Sequence, residues 1–256
     1  MRDYKLEFEN RVAFIKDVLH KSGAEGIVYG NSGGKDSALT GILCKAACSN
    51  TAGIILPCNT SRNYNGDMSD AKEVAEKYGI ETRIMDLQDV KDTAVSALES
   101  ITRLNKSAVM NLTPRLRMAA LYAVAASENR LVAGTGNRSE AYTGYFTKWG
   151  DGACDFNPVA DLTVTEIYEF LRFLDAPECI LTKKPSAALA DGQTDEEEMG
   201  ISYAELDAYI TGEDISPDKQ MIAKHLHSIS EHKRKPIITF CLPEKRENIE
   251  KCPGTP

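Results

Sequence analysis

The chain has 256 residues, 42% of them hydrophobic, and a formal net charge of −8. That length and apolar content suffice for one large core, and the acidic balance excludes a general affinity for nucleic acid or an anionic membrane, since no basic face dominates. Seven cysteines, an odd number without a C-x-x-C pair, exclude a disulfide framework or a zinc ribbon; with a charged start, "MRDYKLEFENR", and no long apolar run, the expectation is a reducing, cytoplasmic setting with no membrane association.

Phe8, Val12, Ile15 and Leu19 recur at helical spacing, which predicts a first helix over residues 3–21 ending near Gly23. The strand "GIVYG" follows, then a glycine-rich turn, the helical run "SALTGILCKAA" and a buried-strand run "TAGIILP" stopped by Pro57. "SDAKEVAEKYG" reads as a capped helix and "IETRIMDL" as a strand. "VKDTAVSALESITRLNKSAVMN" has apolar residues in a helical pattern, "TPRLRMAALYAVAASEN" predicts a helix with Pro114 at an early position, and "RLVAGTGN" is the strand behind it. Strands separated by single helices predict an α/β fold: a doubly wound, mostly parallel sheet with helices on both faces and its ligand site at the carboxyl ends of the strands.

Past residue 140, "AYTGYFTKWGDGACDFNP" reads as a long functional loop, and "LTVTEIYEFLRFLDAP" and "SYAELDAYITG" as helices. The acidic stretch "KKPSAALADGQTDEEEMG" between them is expected to be mobile when nothing is bound, and its part "ALADGQTDEEEMG" to close over bound nucleotides. A last helix, "PDKQMIAKHLHSISEHKRK", ends in a basic cluster.

The stretch that carries chemistry is "VYGNSGGKDSALTGIL". A strand, a glycine turn and a helix N-terminus bring unpaired backbone N–H groups and the positive end of a helix dipole to one point, a phosphate cradle. Gly30 and Gly34 are separated by three residues and Lys35 is followed by Asp36, so the turn is neither a Walker loop nor a dinucleotide fingerprint. Ser32-Gly33-Gly34-Lys35-Asp36-Ser37 instead resembles the S-G-G-x-D-S pyrophosphate loop of the ATP pyrophosphatases. Glycines admit the phosphates closely, two hydroxyls donate, and Asp36 can hold Mg²⁺ against the same oxygens.

"GTGNRSEAYTGYFTKWGDGACDFNP", "KPSAALADGQTDEEEMGISYAELDAYI" and "HKRKP" resemble, in order, three blocks of the ammonia-dependent NAD synthetases, a resemblance running over about residues 5–240. It implies a ligase that adenylates the nicotinate carboxylate of deamido-NAD with ATP, releases pyrophosphate and lets ammonia displace AMP. It implies that Gly30, Asn31, Ser32, Gly33, Gly34, Lys35, Asp36 and Ser37 bind the pyrophosphate end of ATP, with Thr135 and Ser186 also on ATP. Asp36 and Glu140 would hold Mg²⁺, and Arg115, Lys148, Asp155, His232 and Lys233 would line the deamido-NAD site. Taken alone, Arg115 reads as a surface charge and "EHKRK" as a basic helix end favoured by the dipole.

The chain departs from the family at Leu162-Thr163-Val164, where a lysine toward the ATP phosphates is expected. Either Lys35 supplies that charge from another direction, or it is a solvated side chain and Lys183, Lys184 or magnesium alone covers the loss. The resemblance further implies a single NAD synthetase domain over 1–256, no glutamine-hydrolysing domain and a homodimer. A tRNA-modifying ATP pyrophosphatase, or a nucleotide-binding member without turnover, are the competing readings.

Overall fold

In the computed structural model, residues 2–58, 64–183 and 195–240 are described. Four parallel strands, β1 (Gly26–Gly30), β2 (Thr51–Ile55), β3 (Glu81–Ile84) and β4 (Arg130–Val132), stand in the order β3-β2-β1-β4. Ile27 pairs with Thr51 on one side and Leu131 on the other, so β1 is central. The chain builds outward from β1 through β3, then returns past β1 to add β4, which puts the reversal of strand order between β1 and β4. Ligand crevices of doubly wound sheets form at that reversal.

The faces of β1 divide the core. Ile27 and Tyr29 pack into a cluster with α1 (Tyr4–Ser22), α2 (Lys35–Ala47), α3 (Gly66–Tyr78) and α7 (Val164–Phe173). Val28 turns to the opposite face with Ile54, Val132 and the apolar side of α5 (Lys106–Ser127). This is the period-2 alternation of a strand covered on both sides. A third cluster joins Val164 at the start of α7 to Tyr203 and Leu206 of α10 (Tyr203–Thr211) and Ala223 of α11 (Pro217–Ile229). The short helices α4 (Gln88–Glu99), α6 (Arg138–Thr143), α8 (Glu178–Leu181), α9 (Asp195–Met199) and α12 (Glu231–Arg234) complete the described elements.

The helix ends obey local chemistry. Asp3 accepts hydrogen bonds from the N–H groups of Lys5 and Leu6 to start α1, and Gly23 in the left-handed region ends it. Asn137, Thr163 and Ser202 each form a reciprocal capping box with the glutamate three residues on.

One expectation is corrected. Pro114 does not open its helix: α5 begins at Lys106, capped by the Asn105 side chain on the Ala108 N–H at 2.8 Å, and Pro114 is buried inside it. The cap and the flanking apolar residues hold the extra turns despite the rung a proline removes. The helical pattern over 90–111 is likewise broken, into α4 and α5, at residues 100–105.

Candidate active site

A cavity of about 720 Å³ opens at the carboxyl ends of β1, β2 and β4, lined by the turn after β1, by Ile54 to Pro57 at and beyond the end of β2 and by Val132 to Gly136 at and beyond the end of β4. Its volume is that of a small-molecule site. The turn after β1 is held from outside. Gly33 has φ +70°, and a Cβ there would come within 2.1 Å of the Asp67 carbonyl oxygen, so only glycine fits. Lys183 donates to the Gly33 carbonyl at 2.8 Å while its ammonium also meets Asp67 at 2.7 Å and Asp70 at 2.6 Å, pinning the turn to α3. Ser32 and Ser37 face one another, Oγ to Oγ 3.0 Å, across the open N-terminus of α2.

Asp36 and Glu140 come from different elements and are brought together by Asn137. The Asn137 side-chain amide donates to Asp36 Oδ1 at 3.0 Å, and its backbone N–H donates to Glu140 Oε2 at 3.2 Å. Asn137 is fully buried, so both carboxylates are fixed. Burial, reinforced by the nearby Asp36 charge, raises the Glu140 pKa to about 8. Lys35 is buried beside them, its ammonium 2.8 Å from Asp36 Oδ2 and 5.5 Å above the Tyr203 ring. Burial alone would lower the Lys35 pKa, but Asp36 and Glu140 outweigh it and hold the ammonium charged beyond the usual lysine range.

This donor set fits a magnesium ion. Among the described residues no three His, Cys, Asp or Glu side chains converge. Mg²⁺ needs no such cage: it takes one or two carboxylates and completes its shell with water and substrate phosphate. Asp36 and Glu140, held together beside the glycine turn, offer a pair of that kind.

The other residues singled out in the sequence divide. Gly30, Asn31, Gly34, Thr135 and Lys233 line the cavity. Lys233 donates to the carbonyls of Gly144 and Phe146, each at 2.6 Å. Arg115, Lys148 and His232 form a chain on the exterior: Arg115 donates to the Lys148 carbonyl at 3.4 Å and Lys148 to the His232 carbonyl at 2.6 Å. Asp155 accepts from the Val132 N–H at 2.7 Å and the Tyr122 hydroxyl at 3.2 Å, and so joins the edge of β4 to α5. Ser186, Lys184 and most of the acidic stretch expected to close over nucleotides lie outside the described residues.

Two residues that shape the site were not singled out in the sequence. Asn137 carried a signal, the Asn-x-x-Glu spacing of a capping box. Arg117, whose Nε donates to the Leu56 carbonyl at 3.0 Å and whose pKa burial lowers, lines the cavity where Arg115 does not. Nothing in "TPRLRM" distinguishes the two arginines without the phase of the helix.

A glycine turn between the central strand and its helix, with a carboxylate pair across the reversal of strand order, defines a nucleotide-phosphate site of the α/β class. Comparison with known proteins narrows the class. The family model for NAD synthase matches residues 7–240. An NH(3)-dependent NAD(+) synthetase of Carboxydothermus hydrogenoformans is 41% identical over 89% of this chain and 93% of its own. One from Archaeoglobus fulgidus is 44% identical over 86% and 90%. Among solved structures, NMN synthetase from Francisella tularensis superposes with a TM-score of 0.88 at 37% identity, over 94% of this chain and all of that one. The chain belongs to the NAD synthase family.

Proposed function

We propose that this chain is an ammonia-dependent NAD synthetase with ATP and deamido-NAD as its other substrates. The observation that carries the reading is the Asp36–Asn137–Glu140 arrangement beside the glycine turn, in a chain that matches this family along nearly its whole length.

The nicotinate carboxylate oxygen attacks the α-phosphorus of ATP, the bond to pyrophosphate breaks, and ammonia then attacks the acyl carbon, expelling AMP and losing a proton to give the amide. The N–H groups of Gly33 to Ser37 and the hydroxyls of Ser32 and Ser37 receive the β- and γ-phosphates, and the dipole of α2 favours the charge that collects there. Asp36 and Glu140 would hold Mg²⁺, which when bound neutralises phosphate oxygens. Lys233 and Arg117, both fixed on backbone carbonyls, present positive charge to an anionic dinucleotide. No covalent enzyme intermediate is needed, because the acyl adenylate is itself activated. The reaction belongs in the cytoplasm, and the partners are small molecules and a second copy of the chain.

The structural likeness to an NMN synthetase favours a second reading, the same chemistry on nicotinate mononucleotide. One experiment tests both: ATP, ammonium and either deamido-NAD or nicotinate mononucleotide, with AMP, pyrophosphate and amide product quantified. Equimolar AMP, pyrophosphate and NAD, with deamido-NAD as the faster acceptor, is expected. Faster turnover of the mononucleotide would replace the first reading by the second, and no pyrophosphate from either would remove both.

A further inference from the structure

The cations lining the cavity are not equivalent: Lys106, the first residue of α5, is exposed, whereas the other four are held by protein groups. Lys183 is committed to Asp67, Asp70 and the Gly33 carbonyl, Lys233 to two backbone carbonyls, and Arg117 to the carbonyl of Leu56. Each is anchored on groups that remain in place when a ligand enters. Lys35 differs: its ammonium is bonded to Asp36, a carboxylate needed for another purpose. The surroundings are built for this side chain, which is 6% exposed with its ammonium over the Tyr203 ring. Across the cluster, α7 offers no cation at its start, since Val164 is apolar, 3% exposed and packed with Tyr168 and Tyr203.

Resting on the reading of Asp36 and Glu140 as the metal carboxylates, we propose that Lys35 is an exchangeable cation of this site. In the empty enzyme its ammonium is the counter-charge of Asp36. When a divalent cation takes the carboxylates, the ammonium is released to the phosphates bound at the N-terminus of α2, the helix on which Lys35 is the first residue. The buried ammonium is therefore never left without a counter-charge, and neither is Asp36.

The proposal requires two shifts of opposite sign when Lys35 is neutralised. Mn²⁺ binding to the full chain without nucleotide, followed by electron paramagnetic resonance, should tighten about tenfold in Lys35→Gln, because the competing ammonium is gone. Pyrophosphate binding in saturating Mg²⁺, followed by titration calorimetry, should weaken about tenfold, because a charge-assisted donor is lost. General loosening of the site would weaken both. Lys35→Met, which keeps an unbranched apolar stem under Tyr203, replaces the glutamine variant if that one does not fold. Unchanged constants, two shifts in the same direction, or no measurable Mn²⁺ binding to either variant would overturn the proposal. Neither readout involves the amide acceptor, so loss of the proposed amidation and loss of this exchange are told apart.

Discussion

Glu140 is held in a state that costs the empty enzyme stability. Its pKa is raised to about 8 by burial and by Asp36, above the ordinary carboxylate value. The sign follows from linkage: a carboxylate with a raised folded pKa binds its proton more tightly folded than unfolded, so its ionisation costs nothing below the unfolded pKa, costs progressively more as pH rises toward 8, and levels off beyond. Glu140→Gln should therefore melt at the same temperature as the native chain near pH 4, and higher than it at pH 8.5 without metal. Turnover should fall in both Glu140→Gln and Asp36→Asn by about 10²–10³, the range for losing one preorganised electrostatic contact, with a smaller change in ATP affinity. Normal turnover in either would remove that carboxylate from the mechanism. Asn137 allows a finer separation. Asn137→Asp keeps the side-chain oxygen that caps α6 but replaces the amide donor to Asp36 with a negative charge. A third carboxylate buried beside Asp36 and Glu140 should lower the melting temperature at pH 8 by more than an alanine cap deletion, which costs about 1 kcal/mol, while the rate falls at least as far as in Asp36→Asn. Equal loss of stability in the aspartate and alanine variants would make Asn137 a cap and nothing more. At this scale the sequence was legible where chemistry is contiguous: six adjacent residues specify the turn at Ser32–Ser37. It was illegible where function depends on helix phase, since Arg115 and Arg117, two residues and about 200° apart on α5, differ only in which way they point.

The elements hold the site through a charged network along α1, in which Arg11 is buried and Asp161 exposed. Arg11 reaches Asp161 with two hydrogen bonds, at 2.6 and 2.9 Å, and the Pro158 carbonyl at 2.6 Å, while Arg2 meets Asp161 at 3.0 Å and Glu166 at 2.7 Å. These contacts tie α1 to the segment that leads into α7, whose first turn is in turn tied to α6 through Asp207. The Asp207 carboxylate accepts from Ser139, at 2.5 Å, and from both the N–H and hydroxyl of Thr165, at 2.8 Å each. Burial alone would raise the Asp161 pKa, but Arg11 and Arg2 outweigh it and bring it down to about 2. A depressed folded pKa contributes stability that is complete above the unfolded value and is lost as pH falls toward 2. Asp161→Asn should lower the denaturation midpoint at pH 7 and flatten its fall between pH 4 and 2; a slope identical to the native chain's would show that other carboxylates govern acid unfolding. The alternation of strands and helices was readable because each strand is a short apolar run bounded by turn residues. The start of α5 was not, because Pro114 is a stronger local signal than Asn105, and the extra turns are held by distant residues, the Thr147 hydroxyl on Asn111 and Cys58 against Thr113.

For the whole molecule, α4 and α5 leave surface that the other described residues do not cover. None of the twelve residues of α4 is buried, and of the 22 in α5 only Thr113, Pro114 and Ala125 are. Yet this edge beyond β3 carries exposed Ile84, Met85, Val90 and Ile101, the last 80% exposed. Scattered apolar side chains are ordinary on a surface, but a long apolar helix with one covered side next to a helix with none is a contiguous face, and such faces mark association sites. Arg115, on the same helix, leads into the chain of Lys148 and His232 beside the cavity mouth, so a copy docked here would lie against cations that one chain leaves outside its own cavity. We therefore expect a homodimer in which α4 and α5 meet their counterparts about a two-fold axis, the commonest closed arrangement for identical chains. Light scattering should give twice the 28.1 kDa of one chain at micromolar concentration. Val90→Asp with Leu98→Asp should shift the mass toward the monomer with little change in far-ultraviolet circular dichroism, since Val90 is 43% exposed and no residue of α4 is buried in the single chain. Turnover measured on that monomer then decides whether the partner contributes to the site: a loss recovered by raising protein concentration would place Arg115, Lys148 and His232 at a shared mouth. An unmodified chain that scatters as a monomer would show instead that this apolar face remains open in solution.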